Sequence, residues 1–326
     1  MSGVGGAGPW RLCTPDRYRL AEGARWSGDR LHFVDLPHGV LYRCGRPPEP
    51  APRTPGAPEA PGAPGAPGAP AQAPSPVPPA APPAVLLDVG MPLGAVAPAR
   101  LGEGAWVLAT GPGIALAEGR GRLDWLDRPE DRPGRTMRMN DGVCDPAGRF
   151  WAGSMDVGAA PGAGSLYRAD PDGRVHRVLE GLTVPNGPAF TADGAVMYLA
   201  DSARGTVTRY EVDPATGRLG RAEPFTRLAP GEGRPDGMTV DDEGNLWVAL
   251  WGAGRVRCHA PDGRVVGTVT VPTPQVSSVV FGGGRMSVTT ARHGLARPDP
   301  LAGAVLARPS PVTAPPARPY GPSPTP

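Results

Sequence analysis

The stretch DDEGNLWVA, residues 241–249, places a turn at Gly244 directly before a run of apolar residues. This order is typical of a tight turn that leads into a buried strand. The same pattern, a glycine turn followed by a short apolar run, occurs at five further places: 26–35, 104–110, 145–153, 192–201 and 283–290. A recurring unit that contains a buried strand predicts a repeat architecture.

The turn glycines give the period of this repeat. They are Gly28, Gly104, Gly148, Gly194, Gly244 and Gly284, so the successive gaps are 76, 44, 46, 50 and 40 residues. A period of about 40 to 50 residues, with several strands in each unit, is typical of a β-propeller. Six copies therefore predict an all-β protein with a six-bladed β-propeller fold.

One gap is long because the chain carries an insert of mostly Pro, Ala and Gly at 46–83. Without these 38 residues the gap between Gly28 and Gly104 falls to 38, near the others. Such a tract has little apolar surface to bury, so we expect a disordered or polyproline-II-like insert in a surface loop. We predict the propeller over 10–308 and a disordered Pro-rich tail over 309–326.

Closure of the ring requires the two ends of the propeller to meet. The segment 294–307 carries a faint strand pattern before proline becomes dominant. The N-terminal segment Tyr18-Arg-Leu lies just before the first repeat. We expect residues 18–20 to pair with this last strand and so complete the final blade.

Composition excludes several classes of function. The net charge is +2, and the basic residues are spread along the chain without a basic block, which argues against nucleic acid or a membrane surface as a partner. No apolar segment is long enough to span a bilayer, and the N-terminus lacks the pattern of a signal peptide. The four cysteines form no Cys-x-x-Cys pair. We predict a cytoplasmic protein that is a monomer or a weak homo-oligomer.

Polar residues recur at one position of the repeat. Asn140, Asn186 and Asp236 each precede a turn glycine by 8 residues, and Glu22 precedes Gly28 by 6. In a radial repeat an equal phase means an equal position in each blade, so these side chains should meet at the central channel. Asn-Gly and Asp-Gly are also common turn dipeptides, and any one of these residues alone is better explained as part of a turn.

Two carboxylates and two carboxamides supply hard oxygen donors without thiolate or imidazole. Such a set suits one divalent cation, Ca²⁺, Mg²⁺ or Mn²⁺, with Zn²⁺ possible through the carboxylates. A site with few protein ligands leaves positions for water and substrate, which is the arrangement of a metal-dependent hydrolase.

Neighbouring charged residues extend this candidate site. Arg138 lies two residues before Asn140 in an extended stretch, so both side chains should face the same side, where the guanidinium can hold oxygens of a polar ligand or pair with a structural acid. Asp141 should point the other way and brace the loop. Asp35 and Asp201 end strand patterns; we interpret Asp35 as a turn cap and leave Asp201 open between a cap and a group behind the site.

Several separate motifs resemble one known family. They are Glu22-Gly, Arg138-Met-Asn-Asp-Gly, Asp145-Pro-Ala-Gly-Arg-Phe-Trp-Ala-Gly-Ser-Met155, Pro185-Asn-Gly, Tyr198-Leu-Ala-Asp-Ser202, Pro235-Asp-Gly-Met and Gly244-Asn-Leu-Trp-Val-Ala249. Together they are similar to the SMP-30/gluconolactonase/regucalcin-like family, from about residue 20 to residue 290. The resemblance implies a six-bladed propeller with one divalent cation in the channel. It implies that Glu22, Asn186 and Asp236 are the metal ligands, and that Arg138 and Asn140 contact the substrate.

The resemblance also implies an activity, the metal-dependent opening of a sugar lactone, with Asp236 as the base that activates water. The family often carries acidic residues after the motif that ends at Met155, and here only Asp156 stands there. Two alternatives remain open: a calcium- or sugar-binding propeller without turnover, and a scaffold whose Pro-rich arm binds aromatic grooves of partner proteins.

Overall fold

The computed structural model describes residues 8–45, 81–119 and 122–322. These residues form six antiparallel sheets of four strands each, arranged as the blades of a propeller. The prediction of an all-β, six-bladed propeller is confirmed. Among the described residues the only helix is one 3₁₀ turn, Leu36–His38. None of them forms a helix with the length and apolar character that a bilayer crossing requires.

Each of the first five blades uses four consecutive strands. The first three blades comprise β2 (Ala21–Ser27), β3 (Arg30–Asp35), β4 (Val40–Arg43) and β5 (Ala84–Asp88); β6 (Leu93–Pro98), β7 (Ala105–Thr110), β8 (Gly113–Glu118) and β9 (Leu123–Asp127); and β10 (Met137–Cys144), β11 (Phe150–Asp156), β12 (Gly164–Ala169) and β13 (Val175–Leu182). The next two comprise β14 (Pro185–Phe190), β15 (Val196–Asp201), β16 (Thr206–Val212) and β17 (Leu219–Arg227); and β18 (Arg234–Val240), β19 (Leu246–Trp251), β20 (Arg255–His259) and β21 (Val265–Thr270).

The sixth blade joins the two ends of the chain. Its strands are β22 (Val276–Gly282), β23 (Arg285–Thr290), β24 (Val305–Pro309) and the N-terminal β1 (Arg11–Leu12). Leu12 pairs with Leu306, so the closing strand lies earlier in the chain than the 18–20 segment that the sequence suggested. Leu20 instead forms an isolated bridge to Ala291 beside the first strand of blade one.

The repeated sequence phrase has a direct structural explanation. In blade five the Asp241 carboxylate accepts hydrogen bonds from the backbone N–H of Asn245 at 2.8 Å and from Trp247 Nε1 at 2.8 Å. In blade three Asp145 accepts from Trp151 Nε1 at 3.0 Å in the same way. The intervening Gly244 has φ +83°, which L side chains adopt rarely. The phrase thus fixes the turn and anchors the buried indole of the second strand.

The insert predicted at 46–83 connects β4 to β5, and all of it but residues 81–83 lies outside the described residues. Leu41 pairs with Leu87 across this connection. The fourth strand of blade one therefore forms normally on the far side of the insert.

The Pro-rich segment after Pro309 differs from the disordered tail that the sequence suggests, since it is described as far as residue 322 and packs on the propeller. The Asp242 N–H donates to Thr313 O at 2.9 Å, the Ala317 N–H donates to Trp26 O at 2.8 Å, and Tyr320 is 3% exposed. The Tyr320 hydroxyl donates to Asp170 O at 2.6 Å. Proline lowers the conformational entropy of the unfolded chain, so these hydrogen bonds and the buried Tyr320 ring have less entropy to offset when they hold the segment on the propeller.

Candidate metal and substrate site

Four polar side chains lie near the start of the first strand of their blades. They are Glu22 in β2, Asn140 in β10, Asn186 in β14 and Asp236 in β18, and each is buried. These first strands contact those of the neighbouring blades around the central axis. All four side chains line one cavity of about 460 Å³. The structure therefore brings together the four residues that the repeat phase selected.

A β-bulge lies beside each of these residues. The strand register shifts between Glu22 and Arg25, between Met139 and Gly142, between Asn186 and Ala189, and between Pro235 and Met238. A bulge inserts a residue into one strand and redirects a side chain. This shared irregularity explains how residues at one phase of the repeat all face the channel.

The glycines that follow the site residues serve two purposes. Gly23 and Gly187 have φ +58° and +79°, so they allow the sharp turn expected of them. Gly237 lacks a positive φ, and its role is close packing: a Cβ there would lie 2.7 Å from Ser277 O of the next blade. In both cases a larger residue would displace the strand that carries the site side chain.

Hydrogen bonds connect the amide side of the site. Arg138 Nη1 donates to Asn140 Oδ1 at 2.6 Å, and Asn140 Nδ2 donates to Asn186 Oδ1 at 2.9 Å. Asn186 Nδ2 donates to Ser202 Oγ at 2.8 Å, and Ser202 Oγ donates to Pro235 O at 2.5 Å. This chain fixes the orientation of both amides. It also confirms that Arg138 and Asn140 face the same side.

The carboxylate side of the site lacks such partners. Glu22 Oε2 and Asp236 Oδ1 are buried and have no hydrogen-bond partner among the described residues. A buried polar atom without a partner costs free energy, about 1–3 kcal/mol and more for a charged group. Two such acceptor oxygens beside one cavity are free to accept a hydrogen-bond donor or a cation.

Burial and like charges destabilise the ionised form of both carboxyls. Burial, with Asp236 and Asp141 nearby, raises the pKa of Glu22 well above its ordinary value of 4.5. Burial and the Asp141 carboxylate likewise raise the pKa of Asp236 well above 3.8. Arg138 offsets only part of this in each case. A cation between the two carboxylates would oppose both shifts, because an opposite charge nearby favours the ionised form.

The donor chemistry fits a hard divalent cation. Glu22 and Asp236 offer unpartnered oxygens, and the Asn186 amide oxygen has a second lone pair besides the one that Asn140 occupies. Among the described residues no group of three or more His, Cys, Asp or Glu side chains could hold a metal ion. A cation at this site would therefore need the Asn186 amide oxygen as its third protein donor.

Asp141 braces the strands beside the site, as the sequence suggested. Its carboxylate accepts the backbone N–H groups of Gly142 at 2.8 Å and Gly187 at 3.0 Å, and it pairs with Arg25 Nη2 at 3.4 Å. Arg25 also donates to Gly142 O at 2.7 Å. This pair links the first strands of blades one, three and four next to Glu22, Asn140 and Asn186.

The acids that end second strands hold the loops before the site residues. Asp201 accepts the N–H groups of Thr183 at 2.9 Å and Val184 at 3.1 Å, which fixes the loop that leads to Asn186. Asp35 accepts the Leu20 N–H at 3.1 Å in the same place of blade one. Both act on the loops of their blades rather than in the cavity.

Asp156, the acidic residue after the Met155 motif, does not line the cavity. Its carboxylate accepts the N–H groups of Gly158 at 2.9 Å and Ala160 at 3.2 Å, so it shapes its own loop. The cavity wall here is formed by Met155, Val157 and Ala159. This part of the wall is therefore apolar.

Sequence reasoning missed the role of Ser202. It also missed that blades two and six carry small residues at the position that holds a site residue in the other four blades. Ser202 was visible only as part of a motif, although it orients Asn186. The positions in blades two and six are Gly94 and Ser277, and a Cβ at Gly94 would lie 2.0 Å from Asn140 O. Small residues there let the neighbouring strands approach, a signal that only the alignment of all six blades would have shown.

The fold and this oxygen-lined cavity define a class, the six-bladed propellers with a candidate hard-cation site in the central channel. The chain belongs to the SMP-30/gluconolactonase/LRE-like family, whose model matches residues 20–292.

Similar proteins include a pentonolactonase of Haloferax volcanii, 42% identical over 47% of this chain and 53% of its own length. An L-arabinolactonase of Azospirillum brasilense is 39% identical over 54% of this chain and 61% of its length. The regucalcin of Gallus gallus is 33% identical over 68% of this chain and 77% of its length. The chain thus spans little more than half of either lactonase.

The fold has a close counterpart among solved structures. A regucalcin from Agrobacterium tumefaciens, described as a calcium-binding protein, superposes with a TM-score of 0.78 at 24% identity, covering 96% of this chain and 97% of that one. At this identity the likeness establishes the fold.

Proposed function

We propose that this protein hydrolyses a sugar lactone and that the reaction depends on one divalent cation, Ca²⁺, Mg²⁺, Mn²⁺ or Zn²⁺, held by Glu22, Asn186 and Asp236. The observation that carries the proposal is the pair of buried, unpartnered carboxylate oxygens, Glu22 Oε2 and Asp236 Oδ1, on the wall of a cavity of about 460 Å³. Bound there, such a cation would supply Lewis acidity toward the lactone carbonyl and toward water.

The side chains around the cation position have separate roles. Asp236 accepts the proton of the attacking water, which adds to the carbonyl carbon of the lactone. The bond between the carbonyl carbon and the ring oxygen then breaks, and the ring oxygen leaves as a hydroxyl by taking up the proton that Asp236 received from the water. Arg138 makes its hydrogen bonds to the described residues through Nη1 and keeps the rest of its guanidinium for substrate oxygens. Asn140 contacts the substrate beside it.

The named relatives support lactones as the substrate class. A pentonolactonase and an L-arabinolactonase both match this chain at about 40% identity. Both names refer to lactones of five-carbon sugars, but each match covers only about half of this chain, so they support the ring-opening reaction more strongly than any particular sugar. The second candidate, a calcium- or sugar-binding propeller without turnover, is favoured by the description of the structural relative as a calcium-binding protein.

A panel of neutral aldonolactones tests the proposal, with acid release measured for the purified protein before and after chelation. We expect turnover, its loss with chelator, its return with added cation, and a fall of at least about 100-fold in kcat for Asp236→Asn. Cation binding by calorimetry is measured on the same samples. Binding without turnover would establish the second candidate instead, and turnover that survives both chelation and Asp236→Asn would overturn the proposed mechanism.

A further inference from the structure

Arginines surround the mouth of the cavity. Arg138 precedes Asn140 by two residues and Arg234 precedes Asp236 by two, so in each strand the arginine faces the same side as the site residue. Both line the cavity, as do Arg19 and His293. The only acids among the described lining residues are Glu22 and Asp236. If a divalent cation neutralises these two acids, the positive charges of Arg19, Arg138 and Arg234 have no acidic partner among the residues that line the cavity.

A second depression continues from this mouth between blades four and five. It measures about 490 Å³ and shares Ser202 and Arg234 with the site cavity. Its other charged lining residues are Arg204 and Arg227. We call this depression the arginine groove; among the described residues no acidic side chain lines it.

The acids nearest in sequence to the groove have partners other than Arg227 and Arg234. Glu232, in the loop between Arg227 and Arg234, pairs with Arg257 at 2.8 Å and accepts the Ala229 N–H at 2.8 Å. Asp201 accepts two backbone N–H groups and pairs with Arg204 at 3.4 Å. Arg227 and Arg234 form no ion pair with the described residues, and both are exposed. Two guanidinium groups thus face a groove that opens from the site and offers them no carboxylate.

We infer that the substrate is a sugar lactone that carries an anionic substituent, a carboxylate or a phosphate, and that Arg227 and Arg234 bind this substituent in the arginine groove. The inference rests on the proposed lactonase function and adds the substrate class to it. Guanidinium groups bind carboxylate and phosphate through charged hydrogen bonds, often bidentate. The lactone ring would lie beside Asp236, two residues from Arg234, while the charged end extends between the two blades.

The test assays the full-length protein with three lactones. They are gluconolactone, a glucarolactone with a free carboxylate, and a phosphorylated gluconolactone. The measured quantity is the ratio of kcat/KM for each charged lactone to that for the neutral one. The variants are Arg227→Gln and Arg234→Gln. The matched control is Arg264→Gln, in the same blade as Arg234, where the side chain is 70% exposed and lies 3.8 Å from Asp262 outside both cavities.

We expect a ratio above one in the wild type for at least one charged lactone. We expect each groove variant to lower that ratio by about fivefold or more and the control to leave it unchanged. If the ratio exceeds one for the glucarolactone, the groove binds a carboxylate; if it exceeds one for the phosphorylated lactone, the groove binds a phosphate. A ratio of one or less for both, or a ratio that neither groove variant changes, overturns the inference even where the neutral lactone is hydrolysed.

If the wild type hydrolyses none of the three and none of the panel of neutral aldonolactones, the proposed function fails, and calorimetry with open-chain glucarate and gluconate then decides on the groove. Tighter binding of glucarate, with its second carboxylate, that weakens in Arg227→Gln and Arg234→Gln supports the anion site. Equal affinity for the two acids overturns it.

Discussion

The Asp141 carboxylate accepts the backbone N–H of Gly187 at 3.0 Å, across the boundary between blades three and four. Each of these residues directly follows a candidate site residue, Asn140 or Asn186. The same carboxylate pairs with Arg25, three residues after Glu22. One buried acid therefore connects three of the strands that carry the site, at the point where each of them bulges.

Replacement of Asp141 by Ala should destabilise the fold and disorder the site together. The change leaves the Arg25 guanidinium, which is 12% exposed, without its carboxylate and two backbone N–H groups without acceptors. We expect a loss of about 3–5 kcal/mol in the free energy of unfolding, measured by urea denaturation. The matched control is Asp124→Ala, which breaks an exposed pair with Arg122 and should cost less than about 1 kcal/mol. Equal losses for the two variants would contradict the bracing role.

Ser202 should control cation affinity without contributing a ligand. Its hydroxyl accepts a hydrogen bond from Asn186 Nδ2 and donates to Pro235 O, so Ser202→Ala removes one of the two hydrogen bonds that orient the amide. Loss of a group that orients a metal ligand typically costs about 10- to 100-fold in affinity. Calorimetric titration with calcium measures this loss, and Ser202→Thr, which keeps the hydroxyl, should restore part of it. Unchanged affinity in Ser202→Ala would show that Asn186 needs no such support.

As the pH rises, the free energy of unfolding should fall in the cation-free protein and rise in the protein with bound cation. In the cation-free protein the folded pKa of Glu22 is raised, so its contribution to stability is fully present below 4.5 and is lost as the pH rises through the folded value. With excess calcium the ionised form is favoured, and stability should rise over the same range because protons compete with the ion. Thermal unfolding measured at a series of pH values, with and without calcium, gives the change of stability with pH for each form.

The control for that experiment is Glu22→Gln, which removes the titrating group and leaves a side chain of similar shape. It should flatten the slope of the cation-free protein, leaving the part that Asp236 contributes. A cation-free protein whose stability rises with pH through this window would contradict the account.

The C-terminal segment should hold the blades together. Tyr320 is 3% exposed and its hydroxyl donates to Asp170 O, while its backbone N–H donates to Pro98 O at 2.7 Å. We expect Tyr320→Ala to cost about 3–5 kcal/mol in the free energy of unfolding and Tyr320→Phe about 1 kcal/mol. Thr313→Ala, which removes an exposed side chain of the same segment, is the control and should cost less than about 0.5 kcal/mol. A Tyr320→Ala protein as stable as the wild type would mean that the segment only rests on the surface.

The sequence was sufficient to predict the fold because each blade carries a short local pattern of turn and strand residues. The turn glycine recurs in all six blades at a period of about 40 to 50 residues, and in blades three and five an acid anchors the tryptophan of the second strand, as Asp241 does for Trp247. Equal phase also selected Asn140, Asn186 and Asp236, with Glu22 close to the same phase, because residues at one phase of a radial repeat occupy equivalent positions in their blades. The roles assigned to these four remain predictions.

Other features could not be read from local patterns. The closing strand at Arg11–Leu12 is two residues long and is defined by its pairing with Val305–Pro309 across the whole chain. The order in the C-terminal segment depends on a pocket for Tyr320 that other blades build. The arginine groove likewise needs the spatial neighbourhood of Arg227 and Arg234, which a loop separates in the sequence.

The most direct test of the account is a calorimetric titration of calcium or manganese into chelator-treated protein, with Glu22→Gln and Asp236→Asn alongside the wild type. The account predicts saturable binding of one ion per wild-type chain, and affinity reduced by at least about tenfold in each variant. No saturable binding by the wild type, or binding that both variants retain in full, would contradict the claim that these distant blades jointly hold a cation.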